Sequence, residues 1–353
     1  MRDQQHTTIF HDSTPDLYDH EKLLGRLRKD GYLFLRQVVE PRLLERVLAD
    51  FTRPISENGW FLGDPADRRA DPSKFTVEPQ QEYRRVYHQA YRSEAFHSVG
   101  HSVRDSLLEP LLGEVVLIHP RPIGRIVFPV SRDSREMDFT TPAHQDFVSV
   151  QGSTQTYTCW VPLHDVSWED GPLAVAAGSH LSGVRVSVPA RGTGGTVIED
   201  VPDKDWRSAE FRCGDVVIFN CLTVHRGLPN RSDRFRMSTD FRFQPFAAPI
   251  CDRSLLPSTS ALAWDELYST WQNESLKYHW DRPGLRTVPF DSRYEEERNR
   301  QAIEYAKRGD TRAISALQRM AVHDPNPARR ELASGLLTSL HGASAGPDRQ
   351  GPT

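Results

Sequence analysis

The stretch between residues 114 and 245 constrains the fold of this chain more than any other. Short apolar or alternating runs follow one another there, and glycine or proline residues separate most of them. Many short strands joined by turns are typical of a β-sandwich or a jelly roll. The runs that we predict to be strands are Val115–Ile118, Arg125–Val130, Thr156–Pro162, Leu173–Ala176, Val184–Val188, Asp215–Phe219 and Phe235–Phe243.

Helical patterns precede this region. Apolar residues at helical spacing predict one helix that ends at Gly31 and a second that begins at Pro41. We predict a third helix at about 95–112. The polar residues 53–85, broken by prolines and a glycine, are predicted to form a long loop. We expect this loop and the aromatic segment 264–280 to form a lid and a wall over a substrate or, equally, to provide core packing for the C-terminal helices.

The strand pattern fades after residue 250. The sequence predicts two helices, one across Ala302–Arg308 and Ala313–Met320 with a break or kink near Gly309 and another over Pro327–Leu340, and together they resemble a single HEAT-type repeat. One such repeat cannot bury its own apolar face, so we expect it to pack on the main domain or on a partner, including a second copy of the chain. The predicted organisation is a main domain at 1–295 with its β core at about 114–245, a HEAT-like extension at 296–341 and a disordered tail at 342–353.

Composition narrows the class of protein. Lys plus Arg number 44 and Asp plus Glu number 48, so the net charge is −4 and no global positive field favours nucleic acid or an anionic membrane. No run approaches the 18 or so apolar residues of a membrane span, and the N-terminus lacks the apolar segment of a signal peptide. The four cysteines have no zinc-finger spacing. We expect a cytoplasmic enzyme that binds neither nucleic acid nor membrane.

The residues His144-Gln145-Asp146 are the first sign of chemistry. If they lie in a strand, His144 and Asp146 project from one face and can bind a common metal ion. Two ligands hold a metal weakly, and His225, just beyond a predicted strand, is the candidate for the third. Two histidines and one carboxylate form the facial triad of non-haem Fe(II) oxygenases. An isolated histidine and aspartate at this spacing are more often ordinary polar residues than metal ligands. The neighbouring residues must therefore decide whether a metal site is present.

Arg236 is the neighbour that favours a site. Residues 234–243 alternate strictly, with phenylalanines and a methionine on one face and charged or polar residues on the other. An arginine inside a barrel, eleven residues after His225, can bind a carboxylate with two hydrogen bonds, and Ser238 on the same face can add another. For Arg234 and Arg242 we expect the ordinary outcome, a charged side chain in water.

These residues resemble the phytanoyl-CoA dioxygenase family, over roughly residues 20 to 245. The resemblance implies a double-stranded β-helix (jelly roll, cupin-like) core, mostly β with flanking helices and the C-terminal helical extension added. It also implies Fe(II) as the metal, with 2-oxoglutarate and O₂ as co-substrates. The further motifs that carry it are Trp160, Gly171-Pro172-Leu173, Gly178-Ser179-His180, Gly214-Asp215, Asn230 and Ser232.

The resemblance implies a role for each matching residue. The iron ligands, and so the catalytic residues, are His144, Asp146 and His225, and Arg236 holds the distal carboxylate of 2-oxoglutarate. The predicted further contacts with the co-substrate are Gln145, Trp160, Ser238 and Arg125, although a core role for Trp160 is equally open. Some members have a serine two residues after the second histidine, where this chain has Gly227.

The predicted function is hydroxylation, or another oxidation, of an unactivated C–H bond in a small organic molecule such as a natural-product intermediate of secondary metabolism. Succinate and CO₂ are the expected co-products. Because the carboxylate of Asp146 is present, hydroxylation is favoured over halogenation, which needs an open position there. One alternative is a catalytically inactive jelly roll that binds a partner through its C-terminal helices. Another is a different metal enzyme on a cupin-like barrel.

Overall fold

The computed structural model describes residues 7–78, 80–130, 140–257 and 262–344. The α-helices are α1 (His20–Asp30), α2 (Pro41–Glu57), α3 (Gln81–Tyr91), α4 (Glu94–Val103), α5 (Glu109–Leu112), α6 (Phe147–Val150), α7 (Trp264–Tyr268), α8 (Arg293–Lys307), α9 (Ile314–His323) and α10 (Pro327–Ser344). A π-helical turn, Arg104–Leu108, joins α4 to α5. The predicted tail at 342–353 begins inside α10, and its residues 345–353 lie outside the described residues.

Two main sheets and two small ones carry the strands. The strands are β1 (Thr8–Ile9), β2 (Tyr32–Leu35), β3 (Val116–Ile118), β4 (Ile123–Val127), β5 (Tyr157–Pro162), β6 (Leu173–Ala176), β7 (Val188–Pro189), β8 (Thr196–Val197), β9 (Trp206–Ser208), β10 (Val216–Asn220), β11 (His225–Gly227), β12 (Arg236–Pro245), β13 (Ile250–Cys251) and β14 (Thr287–Val288). The larger sheet has the order β2-β10-β5-β12-β3, with β4 also paired to β12, and the smaller has the order β1-β9-β6-β11. The fold is therefore mixed sheets with helices.

The larger sheet is apolar on both faces, and its alternating side chains serve two different cores. Tyr32 and Phe34 of β2 lie in a cluster with Leu173 and Val175 of the smaller sheet. The intervening residue, Leu33, lies in the other cluster, together with apolar residues of α1, α2 and α4. Successive residues of a strand point to opposite faces. One face of this sheet therefore faces the smaller sheet and the other is covered by helices.

Local sequence determines where the first helix, α1, begins and ends. The side chain of Asp19 caps α1 by accepting a hydrogen bond from the backbone N–H of Lys22 at 3.0 Å. Gly31 ends the helix in the left-handed region with φ of +78°. A Cβ atom at Gly31 would lie 2.4 Å from Nδ1 of His180 and 2.7 Å from the hydroxyl oxygen of Thr223. Only glycine fits this contact, which brings the end of α1 against the segment before β11.

Two predicted irregular or extended segments differ from the structure. The long loop predicted at 53–85 is wrong at both ends, because α2 continues to Glu57 and α3 begins at Gln81. Trp60 between them is fully buried in the core, so its burial favours a defined path for the chain. The strand predicted at Val184–Val188 is wrong apart from its last residue, since Val186 is 82% exposed and pairs with no strand.

The aromatic segment 264–280 belongs to the core. Tyr268, Trp271 and Trp280 are 4–6% exposed, and the rings of Tyr268 and Trp271 lie 4.5 Å apart. The indole N–H of Trp271 donates to the backbone oxygen of Arg92 at 2.9 Å. A buried tryptophan with a satisfied N–H is typical of packing. The segment is therefore core packing, but its buried residues share the main apolar cluster with residues of the larger sheet, and the C-terminal helices form a separate cluster.

The chain divides into two compact units. The first comprises residues 1–140, 145–185 and 201–291, and the second comprises 141–144, 186–200 and 292–353. In the second unit, α8, α9 and α10 share an apolar cluster that includes Ala302, Leu317 and Leu340. The ribbon of β7 and β8 belongs to the same unit, where a Cβ at Gly195 would lie 2.8 Å from the backbone nitrogen of Ala316. None of the helices in the described ranges is long and apolar enough to cross a membrane.

Candidate metal centre

His144, Asp146 and His225 come together in the structure. Each offers one ligand atom, and these three atoms all lie within 4.8 Å of one another. His225 begins β11, next to Val175 of β6, and Nε2 of its ring lies 3.8 Å from Oδ1 of Asp146. The three side chains that the sequence singled out thus lie near one point.

The local structure at Asp146 is not the extended strand that the alternation argument assumed. His144 lies outside the extended strands, and Asp146 has helical dihedral angles directly before α6. The backbone oxygen of Asp146 accepts hydrogen bonds from Ser149 and Val150, which forms the first turn of α6, and Phe147 N–H donates to the oxygen of Cys221 at 3.0 Å. A turn, rather than strand alternation, therefore brings Asp146 towards the segment that leads to His225.

Hydrogen bonds to the backbone orient both imidazoles. Nδ1 of His144 lies 2.8 Å from the oxygen of Pro142, and Nδ1 of His225 lies 3.0 Å from the oxygen of Thr223. A carbonyl oxygen only accepts, so each Nδ1 carries the proton and each Nε2 presents its lone pair. Burial lowers the pKa of His225, partly offset by the nearby carboxylate of Asp146. The neutral ring is the form that binds a metal.

The carboxylate of Asp146 has two partners that the sequence did not suggest. Arg242 donates to it through Nε and Nη2 at 3.1–3.3 Å, and the hydroxyl of Thr158 donates to Oδ2 at 2.6 Å. Our expectation that Arg242 is solvated is wrong, because the residue is only 6% exposed. The signal was present in the alternation of β12, which places Arg242 and Arg236 on the same face.

Arg236 lies buried on that face with unused hydrogen-bonding capacity. It is 4% exposed, and its Nη1 donates to the hydroxyl of Ser238 at 2.9 Å. Its Nε is buried and has no hydrogen-bond partner among the residues that the structure describes. Burial, with the charge of Arg125 adding to it, lowers the pKa of Arg236 to about 10. A guanidinium in such a place needs an anion.

The other predicted contacts have structural partners of their own. Arg125 donates through Nε to Oδ2 of Asp240 at 2.8 Å. Trp160 is 2% exposed and its ring lies 4.8 Å from that of Phe211, in the core between the two main sheets. A direct contact of Arg125 or Trp160 with a co-substrate stays a prediction.

Gln145, between the two metal-ligand candidates, uses both ends of its amide. Nε2 donates to the backbone oxygens of Gly183 at 2.8 Å and Leu222 at 2.6 Å, and Oε1 accepts from the N–H of Arg185 at 2.8 Å. These bonds tie the turn at His144 and Asp146 to two neighbouring loops. A contact of Gln145 with a co-substrate also stays a prediction.

Comparison with known families supports the resemblance. The description of the phytanoyl-CoA dioxygenase (PhyH) family matches residues 27–238, more than half of the chain. The chain belongs to the phytanoyl-CoA dioxygenase family. The match includes the three metal-ligand candidates, Arg236 and Ser238, so the site described above lies inside the family domain.

Two curated relatives are similar over most of their length. The 1-deoxypentalenic acid 11-beta-hydroxylase of Streptomyces arenae is 29% identical over 246 residues, which cover 66% of this chain and 84% of the relative. The hydroxylase of the same name from Streptomyces exfoliatus is 28% identical over 245 residues, with the same coverage. Among solved structures, the non-haem α-ketoglutarate-dependent carbocyclase SnoK from nogalamycin biosynthesis is 20% identical, with 65% of this chain and 85% of that chain covered and a TM-score of 0.44.

Proposed function

We propose that this member of the phytanoyl-CoA dioxygenase family is an Fe(II)- and 2-oxoglutarate-dependent oxygenase that hydroxylates a small organic molecule. The observation that carries the proposal is the meeting of His144, Asp146 and His225 within 4.8 Å, inside a domain that also buries the unsatisfied guanidinium of Arg236. Two imidazoles and one carboxylate are the donor set of the facial triad that holds Fe(II).

The three side chains fit a metal ion with small movements. Neighbouring ligands of an octahedral ion lie about 3 Å apart when each bond is about 2.1 Å. Oδ1 of Asp146 and Nε2 of His225 are 3.8 Å apart, so each side chain has only to shift inward by less than about 1 Å. His144 and His225 already present Nε2, because backbone oxygens hold their Nδ1 protons.

Arg236 fits the distal carboxylate of 2-oxoglutarate. Its Nε is buried without a partner in the described part of the chain, and a carboxylate would complete its hydrogen bonds in the two-point geometry that guanidinium groups favour. The hydroxyl of Ser238, which accepts from Nη1 of Arg236, keeps the guanidinium plane in position. Bound iron with 2-oxoglutarate and O₂ supplies an oxidant that removes hydrogen from an unactivated C–H bond, with release of succinate and CO₂.

The work of the protein is to orient these groups and to exclude water. Asp240 neutralises Arg125 at 2.8 Å and Asp146 is paired with Arg242, whereas Nε of Arg236, on the same face of β12, has no hydrogen-bond partner among the described residues and can receive a ligand anion. The ring of Phe219 lies 4.4 Å from that of His225 and belongs to the same apolar cluster as Trp160, which keeps this side of the site apolar. Such a site strengthens the electrostatic interactions inside it.

The curated relatives support the substrate class. They are named as hydroxylases of 1-deoxypentalenic acid, a small organic acid, and we propose a molecule of comparable size from secondary metabolism for this chain. We also propose that the two main sheets are the walls of a double-stranded β-helix. The cluster that Tyr32 and Phe34 share with Leu173 and Val175 supports this arrangement.

The remaining proposals concern organisation and location. We propose a main domain at 1–295 and a HEAT-like extension at 296–341 that binds a second copy of the chain. The exposed apolar side chains of Val322 on α9 and Leu332 on α10, 44% and 45% exposed, support such a contact. A cytoplasmic location is supported by the cysteines, which are unpaired thiols in the structure.

Succinate formation from 2-oxoglutarate tests the proposal. Purified protein is incubated with Fe(II), ascorbate, 2-oxoglutarate and air, with 1-deoxypentalenic acid as the first candidate substrate, and succinate is measured by mass spectrometry. We expect iron-dependent succinate from the wild type and from the control His11→Ala, and none above background from His144→Ala or His225→Ala. Equal succinate from folded His225→Ala would contradict the assigned site.

A further inference from the structure

The backbone next to His144 is held by the residue that follows β8. The N–H of Ile198 donates to the backbone oxygen of Ala143 at 2.8 Å, and both residues are buried. A peptide group is planar, so this bond fixes the plane that joins Ala143 to His144. Nδ1 of His144 in turn lies 2.8 Å from the backbone oxygen of Pro142. The direction of the His144 side chain therefore depends on the position of Ile198.

Ile198 directly follows a short hairpin whose tip lies on α9. β7 and β8 pair antiparallel, and the N–H of Ala190 donates to the oxygen of Gly195 at 3.0 Å near the tip. Within the tip, the N–H of Gly192 donates to the hydroxyl oxygen of Ser315 on α9 at 3.0 Å, and Ser315 is buried. The hairpin is therefore attached to a helix at the end opposite Ile198.

Gly195 brings the tip of the hairpin against the backbone of α9. It has φ of +76°, and a Cβ there would lie 2.8 Å from the nitrogen of Ala316 and 3.2 Å from the carbonyl carbon of Ser315. The neighbouring Gly194 also has a positive φ, +88°, but nothing lies within 4 Å of its would-be Cβ. Of these two glycines, only Gly195 is required by the contact with the helix.

We propose that α9 positions the metal ligand His144 through this hairpin, with Ser315 and Gly195 as positioning residues. The inference rests on the proposed function, because it takes His144 to bind the metal. The three steps from Gly195 to Ile198 span about 10 Å of extended chain, so a shift of the tip on α9 also moves the N–H of Ile198. All of these contacts lie inside the second compact unit, to which His144 also belongs.

The C-terminal helices thereby support the metal centre as well as one another. Groups that hold metal ligands in place affect metal affinity about 10- to 100-fold when they are removed. An ion pair between Arg312 and Glu199 at 3.5 Å also joins the helices to the hairpin. Both side chains are about half exposed, so this pair contributes little. The buried contacts of Ser315 and Gly195 are the ones that hold the hairpin.

Hydrogen exchange at the Ile198 amide tests this link in the wild type. Energetic coupling between two sites is reciprocal. If the bond from Ile198 holds His144 in place for the metal, the bound metal must in turn protect that amide from exchange. We expect Zn(II) to slow the exchange of the Ile198 amide about fivefold or more in the wild type, as measured by NMR, and to leave it unchanged in His144→Ala.

Variants of the helix contact test the same link from the other end. Ser315→Ala removes the hydroxyl oxygen while keeping a good helix former, and it should raise the dissociation constant of Zn(II) about tenfold. Ser315→Thr keeps the oxygen and should restore the wild-type affinity. Gly195→Ala should also weaken Zn(II) binding, because it pushes the tip away from α9. Gly194→Ala has a similar backbone cost without the clash and should bind Zn(II) as the wild type does.

Several outcomes would overturn the inference and leave the proposed function intact. One is an Ile198 amide that exchanges at the same rate with and without Zn(II). Another is an unchanged Zn(II) affinity in folded Ser315→Ala and Gly195→Ala, and a third is an equal loss in Gly194→Ala and Gly195→Ala. If neither Ser315→Ala nor Gly195→Ala folds, the exchange measurement on the wild type decides alone. Failure of the wild type to bind Zn(II) would instead refute the metal centre itself.

Discussion

At the scale of the residue, Arg236 is the group whose surroundings most clearly call for a ligand. Its guanidinium is buried, its Nη1 is satisfied by Ser238, and its Nε has no partner within the described ranges. Burial lowers its pKa to about 10, so the side chain is still charged at neutral pH. A buried cation without a matching anion costs free energy, and a bound dicarboxylate would recover it.

Replacing this residue should separate co-substrate binding from metal binding. Charge-assisted hydrogen bonds of this kind contribute about 2 kcal/mol, which corresponds to about a 30-fold change in affinity. We expect Arg236→Gln to raise the dissociation constant of 2-oxoglutarate about 30-fold and to leave the binding of Fe(II) unchanged, as measured by anaerobic titration. Arg234→Gln, which removes a partly exposed arginine of the same segment, is the control. An unchanged affinity in Arg236→Gln would assign the co-substrate to another residue.

The sequence predicted those parts of the site in which residue type and spacing determine the chemistry. The HxD spacing with His225 predicted three side chains that do meet, and the alternation of residues 234–243 predicted the buried face that carries Arg236. Arg242 and Thr158 were missed because their role depends on a partner 96 and 12 residues away. A charged residue in a strand is usually solvated, and only tertiary pairing shows the exception.

At the scale of the element, the sheet was predictable and the turn at Asp146 was not. Short apolar or alternating runs specified β5, β6, β10 and β12 within a few residues, since the side chains of these strands enter a core on one or both faces. The alternation argument for His144 and Asp146 assumed an extended strand, whereas hydrogen bonds from Ser149 and Val150 to the backbone oxygen of Asp146 form a helical turn at Asp146. Short polar segments lack a periodicity that would reveal such a turn.

Gly171, just before β6, lies where the backbone leaves no room for a side chain. It precedes β6 with φ of +75°, and a Cβ there would lie 2.3 Å from the backbone oxygen of Leu228 and 2.7 Å from the nitrogen of Asn230. The segment 228–230 follows β11, which carries His225 and pairs with β6. A side chain at this position would therefore push apart the two strands that place the second histidine.

Gly171→Ala should destabilise the protein by about 3 kcal/mol or more, since it adds a backbone clash to the cost of a left-handed alanine. Gly63→Ala is the matched control, because Gly63 has φ of +85° and nothing within 4 Å of its would-be Cβ, and it should cost about 1 kcal/mol. Urea denaturation of both variants gives the comparison. Equal losses would show that the contact with Leu228 is relieved without strain.

At the scale of the whole molecule, the helices and the aromatic segment complete the core of the sheet. Trp60, Phe96 and Trp280 belong to the same apolar cluster as the inner face of β10. The predicted loop at 53–85 failed because prolines and charges dominate its composition, while Trp60 within it is fully buried and Phe61 and Phe75 pack partly buried against the core. The composition of such a segment reflects its exposed residues, which are the majority. The few buried residues are placed by partners that are distant in sequence, so composition does not predict them.

Buried histidines make the stability of the molecule depend on pH. Burial lowers the pKa of His97 and of His101 to about 3 and that of His279 to about 4, against 6.5 for an exposed imidazole. The unfolded chain therefore binds more protons than the folded one between about pH 6.5 and pH 4. Their contribution to stability is complete above pH 6.5 and is lost as the pH falls towards the folded pKa values.

We expect the free energy of unfolding to decrease by up to about 1.4 kcal/mol per pH unit for each of these histidines below pH 6.5. Urea denaturation at pH 7.5, 6.0 and 5.0 measures the slope. His101→Gln should make the slope shallower. A stability that is the same at pH 7.5 and pH 5.0 would show that these rings are protonated in the folded state.

The most direct test of the central claim is an anaerobic titration of the metal-free protein with Fe(II) and 2-oxoglutarate, followed by visible absorption. Iron that binds the co-substrate through two oxygens gives a weak metal-to-ligand charge-transfer band. We predict this band for the wild type, its loss in His144→Ala, and a requirement for more 2-oxoglutarate in Arg236→Ala. No band from intact, folded wild-type protein would contradict the assignment of His144, Asp146 and His225 as an iron centre.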